Sequence, residues 1–219
     1  MKYNSFVVFG LGKFGQAIAD KLLESGADVM VVDHDEDIIE QYSSKATSAV
    51  EADLTDPAAI KALGISNIDC AIVSMGMSLE ASIICTMVCK ECGVQWVVAK
   101  SGSERMGKVL TKIGADEIIY PEEESGIRTA KRLIASNFLE YFDISDNLCL
   151  VEMEPKDKWV GKTLKDLNLR QKYGVNVIAI KDGSIQESVN PDVPLKAGNP
   201  LVMVLHKNNL SKLDKTIAL

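Results

Sequence analysis

The sequence has few of the residues that common catalytic and metal-binding sites require. It contains only two histidines, His34 and His206, so neither a Ser–His–Asp triad nor a Cys–His pair can be placed. A Tyr-x-x-x-Lys pair, which short-chain dehydrogenases carry beside their cofactor, is also missing. The five cysteines are an odd number in apolar surroundings, which favours a reducing compartment over a disulfide framework. These absences argue against the usual nucleophilic enzymes.

Basic charge and long apolar runs are scarce as well. The chain has 24 Lys and Arg residues against 31 Asp and Glu, and this net charge of −7 argues against a nucleic-acid partner. No apolar run reaches the roughly 20 residues that span a bilayer. The first residues, 1–5, run directly into an apolar segment without the pattern of a signal peptide. We therefore expect a soluble, cytosolic protein.

One stretch near the N-terminus has the glycine pattern of a nucleotide-binding turn. Four apolar residues, 6–9, lead into a Gly-x-Gly-x-x-Gly motif, and a helical pattern follows at once. In such motifs Gly10 permits the tight turn, Gly12 lets a pyrophosphate approach the backbone, and Gly15 lets the helix pack closely on the strand. The free N–H groups of the first helical turn then point at the anion. The motif predicts a phosphate-binding turn.

An acidic residue follows the motif at a suggestive distance. Asp33 ends a second apolar run, 29–32, and follows Gly15 at close to the spacing of about 20 residues expected for a ribose-binding acid. We therefore predict an adenine-nucleotide site with Asp33 on the ribose. His34 comes next, and two interpretations stay open, a contact to adenosine and an exposed loop histidine.

Apolar segments alternate with helical patterns through the first part of the chain. Strands are expected near residues 6–9, 29–32, 47–53, 69–74, 95–99 and 116–120, with helices that include 36–42 and 79–92. Continuously apolar strands that alternate with helices predict a parallel sheet covered on both faces. The fold class is therefore α/β, a Rossmann-like doubly wound sheet.

The pattern changes after residue 126. A longer helix is expected from Gly126 to about Tyr141, as a connector, because apolar residues recur there at helical spacing. Shorter strands with turn residues between them follow, at 148–153, 175–180 and 201–205, and predict a small α+β domain. We place the domains at 1–136 and 137–219.

Three cysteines, Cys85, Cys89 and Cys92, share one face of an expected helix. Zinc and iron–sulfur sites need a closed set of four ligands, and no nearby histidine completes this set. We interpret the three thiols as small apolar residues packed in the core.

Three charged residues lie where open α/β sheets bind ligands, and each allows two interpretations. Glu122 follows the sixth strand and belongs either to a solvated acidic face or to a site for a divalent cation against nucleotide phosphates. Lys13, inside the glycine motif, and Lys100, at the end of the fifth strand, are either solvated or in contact with outer phosphates.

With these features assembled, the chain resembles the regulator of potassium conductance (RCK) family, the cytosolic regulatory subunits of Ktr/Trk-type potassium uptake systems. The resemblance covers essentially the whole chain, and the combination of two domains is more specific than the glycine motif. The supporting stretches are 10–15, 32–33, 53–55, 69–76, 113–116, 120–122, 169–174 and 177–180.

The resemblance implies a role for each candidate residue. Phosphates would contact the glycine turn, made of Gly10, Gly12, Lys13, Phe14 and Gly15, and the ribose would contact Asp33. Adenine would lie beside Asp53 and Leu54, and the opposite wall would be Ser74, Met75 and Gly76. Glu122 would lie near a Mg²⁺ or Ca²⁺ ion between subunits. The nucleotide is either ATP/ADP or NAD/NADH, and the second domain resembles one that binds cyclic di-AMP in some members.

The resemblance also implies partners. Dimers would assemble into an octameric ring on a membrane-embedded potassium channel or transporter subunit, and nucleotide binding would change the ring's shape and gate the ion path. Such a subunit is not an enzyme and is peripheral to the inner face of the membrane. The alternative from another functional class is an NAD-dependent oxidoreductase with a small second domain.

Overall fold

The computed structural model describes residues 3–76, 78–134, 138–186 and 189–213. The chain divides into two compact units, Met1–Glu123 and Glu124–Leu219. The domain limits expected from the sequence, 1–136 and 137–219, stay a prediction.

The first unit is built on a six-stranded parallel sheet. Its strands are β1 (Ser5–Phe9), β2 (Asp28–Asp33), β3 (Ser48–Glu51), β4 (Cys70–Val73), β5 (Trp96–Lys100) and β6 (Glu117–Ile119). They alternate with the helices α1 (Lys13–Glu24), α2 (Glu36–Tyr42), α3 (Pro57–Ala62), α4 (Leu79–Glu91) and α5 (Glu104–Ile113). Neighbouring strands run parallel in the order β3-β2-β1-β4-β5-β6. The Rossmann-like doubly wound sheet is confirmed.

Both faces of this sheet are covered. Val7 and Phe9 of β1 belong to one hydrophobic cluster, whereas Phe6 and Val8 belong to another. Because successive side chains of a strand point to opposite faces, these two clusters lie on the two sides of the sheet. A sheet buried on both faces leaves the strand ends as the place where a ligand can reach it.

The winding of the chain reverses at β1, which places a crevice at one edge of the sheet. β1 pairs with β2 on one side and with β4 on the other. In open α/β sheets, ligands bind outside the carboxyl ends of the strands at this switch point. The residues that follow β1, β2 and β4 are therefore the first candidates for a site.

The second unit contains an antiparallel sheet. Its strands are β7 (Phe138–Asp143), β8 (Leu148–Met153), β9 (Val175–Asp182), β10 (Ser184–Gln186) and β11 (Leu201–His206), in the order β10-β9-β11-β8-β7. Helix α6 (Pro121–Ile134) crosses the division between the units, and the short helices α7 (Leu164–Leu167), α8 (Leu169–Tyr173) and α9 (Leu210–Leu213) belong to the second unit. The α+β class expected for this part is confirmed.

The helix expected from Gly126 to Tyr141 is wrong at both ends. The helix begins at Pro121 and ends at Ile134, whereas Phe138 and Tyr141 lie in β7 and are buried there. The register of β7 on β8 shifts between Phe138 and Glu140. Such an irregularity changes the alternation of side chains along a strand, so two core residues three positions apart imitate the spacing of a helix.

Candidate functional site

The glycine turn after β1 has the geometry that the motif predicts. Gly10 has φ +86°, and its N–H donates to Val32 O at 2.8 Å. A Cβ atom at position 15 would lie 2.0 Å from Gly10 O, so only glycine fits at the close approach of α1 to the turn. Helix α1 begins at Lys13, and no side chain caps it at Gly12. The N–H groups of its first turn are therefore available to an anion.

Asp33, at the carboxyl end of β2, is fixed beside the glycine turn. Its side chain accepts from Leu11 N at 2.5 Å through Oδ2 and from Asp35 N at 3.1 Å through Oδ1. The residue is 5% exposed, whereas the side chain of His34, whose Nδ1 lies 2.9 Å from Asp33 Oδ1, is 83% exposed. Asp33 thus links β2 to the turn after β1, a contact that sequence spacing alone does not reveal.

The opposite wall of the crevice follows β4. Ser74 is buried, and its hydroxyl lies 2.5 Å from Gly10 O and 3.1 Å from Phe9 O. The Met75 side chain lies 2.9 Å from the place of a Cβ at Gly10. The family resemblance implies that Ser74, Met75 and Gly76 form this wall, and this stays a prediction. The structure adds that the Ser74 hydroxyl faces the backbone of the glycine turn, so it positions the turn.

We expect Ser74→Ala to lower the free energy of unfolding by about 1–2 kcal/mol, because Gly10 O loses a buried hydroxyl donor, whereas Phe9 O keeps the Ser74 N–H at 2.8 Å. Chemical denaturation measures this change. The matched control is Ser43→Ala, which removes an exposed hydroxyl that donates to Glu40 O at 2.7 Å. Equal losses for the two variants would contradict the role given to Ser74.

In the segment after β3, Asp53 is exposed and Leu54 is buried. Asp53 Oδ1 accepts from Thr55 N at 2.8 Å and from Thr55 Oγ1 at 2.6 Å, and these bonds hold the pKa of Asp53 below its usual value. The charge of the nearby His34 lowers this pKa further. Leu54 is buried in the core of the first unit. Asp53 is thus the more accessible of the two.

Lys100 and Glu122 form an ion pair at the far side of the crevice. Lys100 ends β5, and Glu122 lies in the first turn of α6. Lys100 Nζ lies 2.6 Å from Glu122 Oε1 and 5.7 Å from the centroid of the Phe14 ring. The hydrogen bond from Lys100 lowers the pKa of Glu122. Lys13 is exposed at the first position of α1.

The site thus brings two kinds of group together at one edge of the sheet. The helix N-terminus and Lys13 suit the phosphates of a nucleotide, and the Lys100 ammonium lies over the ring of Phe14, the residue next to Lys13. The Asp33 carboxylate suits a diol that donates hydrogen bonds. Among residues 3–76, 78–134, 138–186 and 189–213, no group of three His, Cys, Asp or Glu side chains is arranged to hold a metal ion.

The three cysteines in α4 and at its C-terminal cap contribute to packing. Cys85 and Cys89 are fully buried, whereas Cys92 is half-buried. Burial raises the pKa of the Cys85 thiol to about 12 and also raises that of Cys89, so both stay protonated and unreactive at neutral pH. The interpretation as core residues is confirmed for these two.

In the described part of the chain, no helix has the length and apolarity that a membrane span requires.

Comparisons with known proteins agree with this architecture. The TrkA-N domain model matches residues 6–121, and the TrkA-C domain model matches residues 149–218. Ktr system potassium uptake protein C of Bacillus subtilis is 42% identical over 180 residues, which cover 82% of this chain and 81% of that protein. Ktr system potassium uptake protein A of the same organism is 37% identical over 215 residues, covering 98% of this chain and 97% of that protein.

Solved structures support the fold. The crystal structure of the GsuK RCK domain has a TM-score of 0.64 at 18% identity, over 99% of this chain and 48% of that chain. The GsuK channel bound to NAD has a TM-score of 0.62 at 18% identity, over 99% of this chain and 40% of that chain. This chain thus spans less than half the length of those chains. By the two domain matches and the two Bacillus relatives, it belongs to the TrkA-N/TrkA-C family of KtrA-like RCK subunits.

Proposed function

We propose that this protein is a nucleotide-binding regulatory subunit of a potassium uptake system. The observation that carries the proposal is the junction of Asp33 with the glycine turn, in a chain that aligns over 98% of its length with a Ktr potassium uptake protein. A ribose acid next to a phosphate turn is the minimum that an adenine nucleotide needs. The regulatory role rests on the family.

The proposed ligand is an adenine nucleotide, either ATP/ADP or NAD/NADH. Its phosphates lie on the glycine turn, with Lys13 and Phe14 beside them, and its ribose on Asp33. Adenine lies near His34, Asp53 and the backbone at Leu54, and Ser74, Met75 and Gly76 form the opposite wall. This placement is supported by the topology, because these residues follow β1, β2, β3 and β4, and those parallel strands end at the same edge of the sheet. The bound NAD of the GsuK channel, which shares the fold, agrees with this ligand class.

A divalent cation at Glu122 stays part of the proposal, but the described residues alone do not form a complete site for it. Glu122 offers one carboxylate, which contacts Lys100, and the described residues supply no closed set of ligands around it. Mg²⁺ or Ca²⁺ there would need oxygens from nucleotide phosphates or from a second subunit. The mechanism therefore includes no step through a metal. Cyclic di-AMP as a ligand of the second domain likewise stays a proposal drawn from the family.

Gating follows from unequal binding. A ligand shifts an equilibrium between two conformations only when it binds them with different affinity. The nucleotide therefore controls potassium flux if the two conformations present the crevice differently to the membrane-embedded partner. The protein works at the inner face of the membrane, held there by that partner.

The test combines binding and transport. Calorimetry with ATP, ADP, NAD and NADH identifies the ligand, and potassium flux in vesicles that carry the cognate membrane subunit reports gating. We expect binding and a flux that depends on which nucleotide is present. A protein that binds none of the four, or a flux that is the same with each, would reject the proposal.

The oxidoreductase alternative is tested separately. In the described crevice, the Ser74 hydroxyl bonds to Gly10 O and the Asp33 carboxylate is assigned to the ribose, so neither is left as a general acid or base for a substrate. We therefore propose a subunit without enzymatic activity. Oxidation of NADH in the presence of a panel of carbonyl substrates would contradict this.

Assembly is expected to be at least dimeric, with a ring of eight in the presence of nucleotide. Helix α6 exposes two large apolar side chains, since Ile127 is 49% and Leu133 is 73% exposed, and a second subunit that covered them would remove this apolar surface from water. Light scattering with and without ATP measures the mass. We expect Leu133→Lys to reduce it. A monodisperse monomer under both conditions would contradict the prediction.

A further inference from the structure

Lys100 is held inside the crevice in an unusual way for a lysine. Its side chain is 13% exposed, although lysines normally extend their charge into water. Its Nζ lies 5.7 Å from the centroid of the Phe14 ring, and Phe14 belongs both to the glycine motif and to the first turn of α1. A Cβ at Gly76 would lie 3.1 Å from both Cε and Nζ of Lys100. The ammonium is thus packed between the two walls of the crevice.

The partner of this ammonium is held much less firmly. Glu122 Oε1 lies 2.6 Å from Lys100 Nζ, but the Glu122 side chain is 69% exposed. The carboxylate can therefore move into water while the lysine stays in place. An ammonium has three N–H donors and no fixed orientation, so it can turn from one acceptor to another without a large rearrangement.

We propose that Lys100 detects the outermost phosphate of the bound nucleotide, and that Glu122 competes with this phosphate for the Lys100 ammonium. The proposal rests on the proposed function, because it assigns a specificity role within the same site. ATP and ADP share adenine, ribose and two phosphates, so only a group near the outer phosphate can distinguish them. The terminal phosphate of ATP draws the Lys100 ammonium away from Glu122. The Glu122 carboxylate is therefore unpaired in the ATP state and paired with Lys100 in the ADP state.

Competition predicts opposite effects for the two partners. Lys100→Met keeps an unbranched side chain, one heavy atom shorter than lysine, and removes the charge. We expect it to weaken ATP binding about tenfold while ADP changes less, because a charge-assisted bond to phosphate is lost. We expect Glu122→Gln to strengthen ATP binding by a factor of about 1.4 to 5, the range measured for exposed ion pairs, because the competitor is gone.

Calorimetry of the full chain in EDTA distinguishes this from a metal role for Glu122. If Glu122 acts only through a bound metal ion, Glu122→Gln should leave ATP affinity unchanged when EDTA has removed divalent cations. The double variant completes the test, since Glu122→Gln should have no effect when Lys100 is already Met. The matched control is the exposed pair Lys108–Glu104, joined at 2.7 Å on α5, in which the same substitutions should leave nucleotide affinity unchanged.

The outcomes separate this inference from the proposed function. If the wild-type protein binds ATP and ADP but Lys100→Met keeps the full ratio of their affinities, the Lys100 assignment is overturned and the proposed function stands. Weaker ATP binding by Glu122→Gln in EDTA would also overturn it, because Glu122 would then be assisting the phosphate. If the wild-type protein binds no adenine nucleotide, both fall together.

Discussion

Replacing Asp33 with alanine should weaken adenine-nucleotide binding by about tenfold or more, which corresponds to about 1.4 kcal/mol. The carboxylate can accept charge-assisted hydrogen bonds from the ribose hydroxyls, and alanine cannot. It also accepts from Leu11 N at 2.5 Å, so its loss releases the turn on which we propose that the phosphates lie. One substitution therefore affects both ends of the nucleotide site.

Two further variants separate these contributions. Asp33→Asn keeps an oxygen for Leu11 N but removes the charge, so it should retain more stability than Asp33→Ala and still lose affinity. Asp28→Asn is the matched control, because Asp28 is an exposed acid at the other end of the same strand. Calorimetry with ATP and NADH measures affinity, and denaturation measures stability. Unchanged affinity for both ligands in Asp33→Ala would remove Asp33 from the site.

The elements around the site could be predicted from the sequence because local signals agree there. Helix α2 spans Glu36–Tyr42 as expected, since the Asp35 side chain accepts from Asp37 N and Ile38 N and two acidic residues occupy the first turn. The glycine turn and Asp33 come together because parallel strands end at the same edge of the sheet. Strand order and spacing were sufficient to place both at this edge, but not to show the hydrogen bond from Leu11 N to Asp33.

The missed features depend on contacts between distant residues. The Ser74 hydroxyl bonds to Gly10 O, 64 positions away, and Lys100 bonds to Glu122, 22 positions away. A sequence pattern places such residues at an edge but does not determine the torsion angles that aim their side chains. Strand β7 was missed for a related reason, since a register shift against β8 gives its buried residues a helical spacing.

Two glycines of the motif should differ in how much stability an alanine costs. At Gly15 the added Cβ would lie 2.0 Å from Gly10 O and 2.6 Å from Ser74 Oγ, and a backbone oxygen cannot move aside. We expect Gly15→Ala to lower the free energy of unfolding by about 3 kcal/mol or more, the upper range for overpacked sites. At Gly12 no atom lies within 4 Å of the added Cβ, so Gly12→Ala should cost about 1 kcal/mol or less.

Nucleotide affinity, unlike stability, should fall clearly in Gly12→Ala. The space that is open beside Gly12 is where the motif brings a pyrophosphate against the backbone, so a methyl group there should reduce nucleotide affinity about tenfold or more in a protein that is still folded. Denaturation and calorimetry on both variants provide the test, with each serving as the control for the other. If Gly12→Ala binds ATP and NADH as the wild type does, the phosphates do not approach this turn, and the glycines serve only the packing of α1 on β1. If Gly15→Ala is as stable as the wild type, α1 can move away from Gly10, and the close approach is not required for folding.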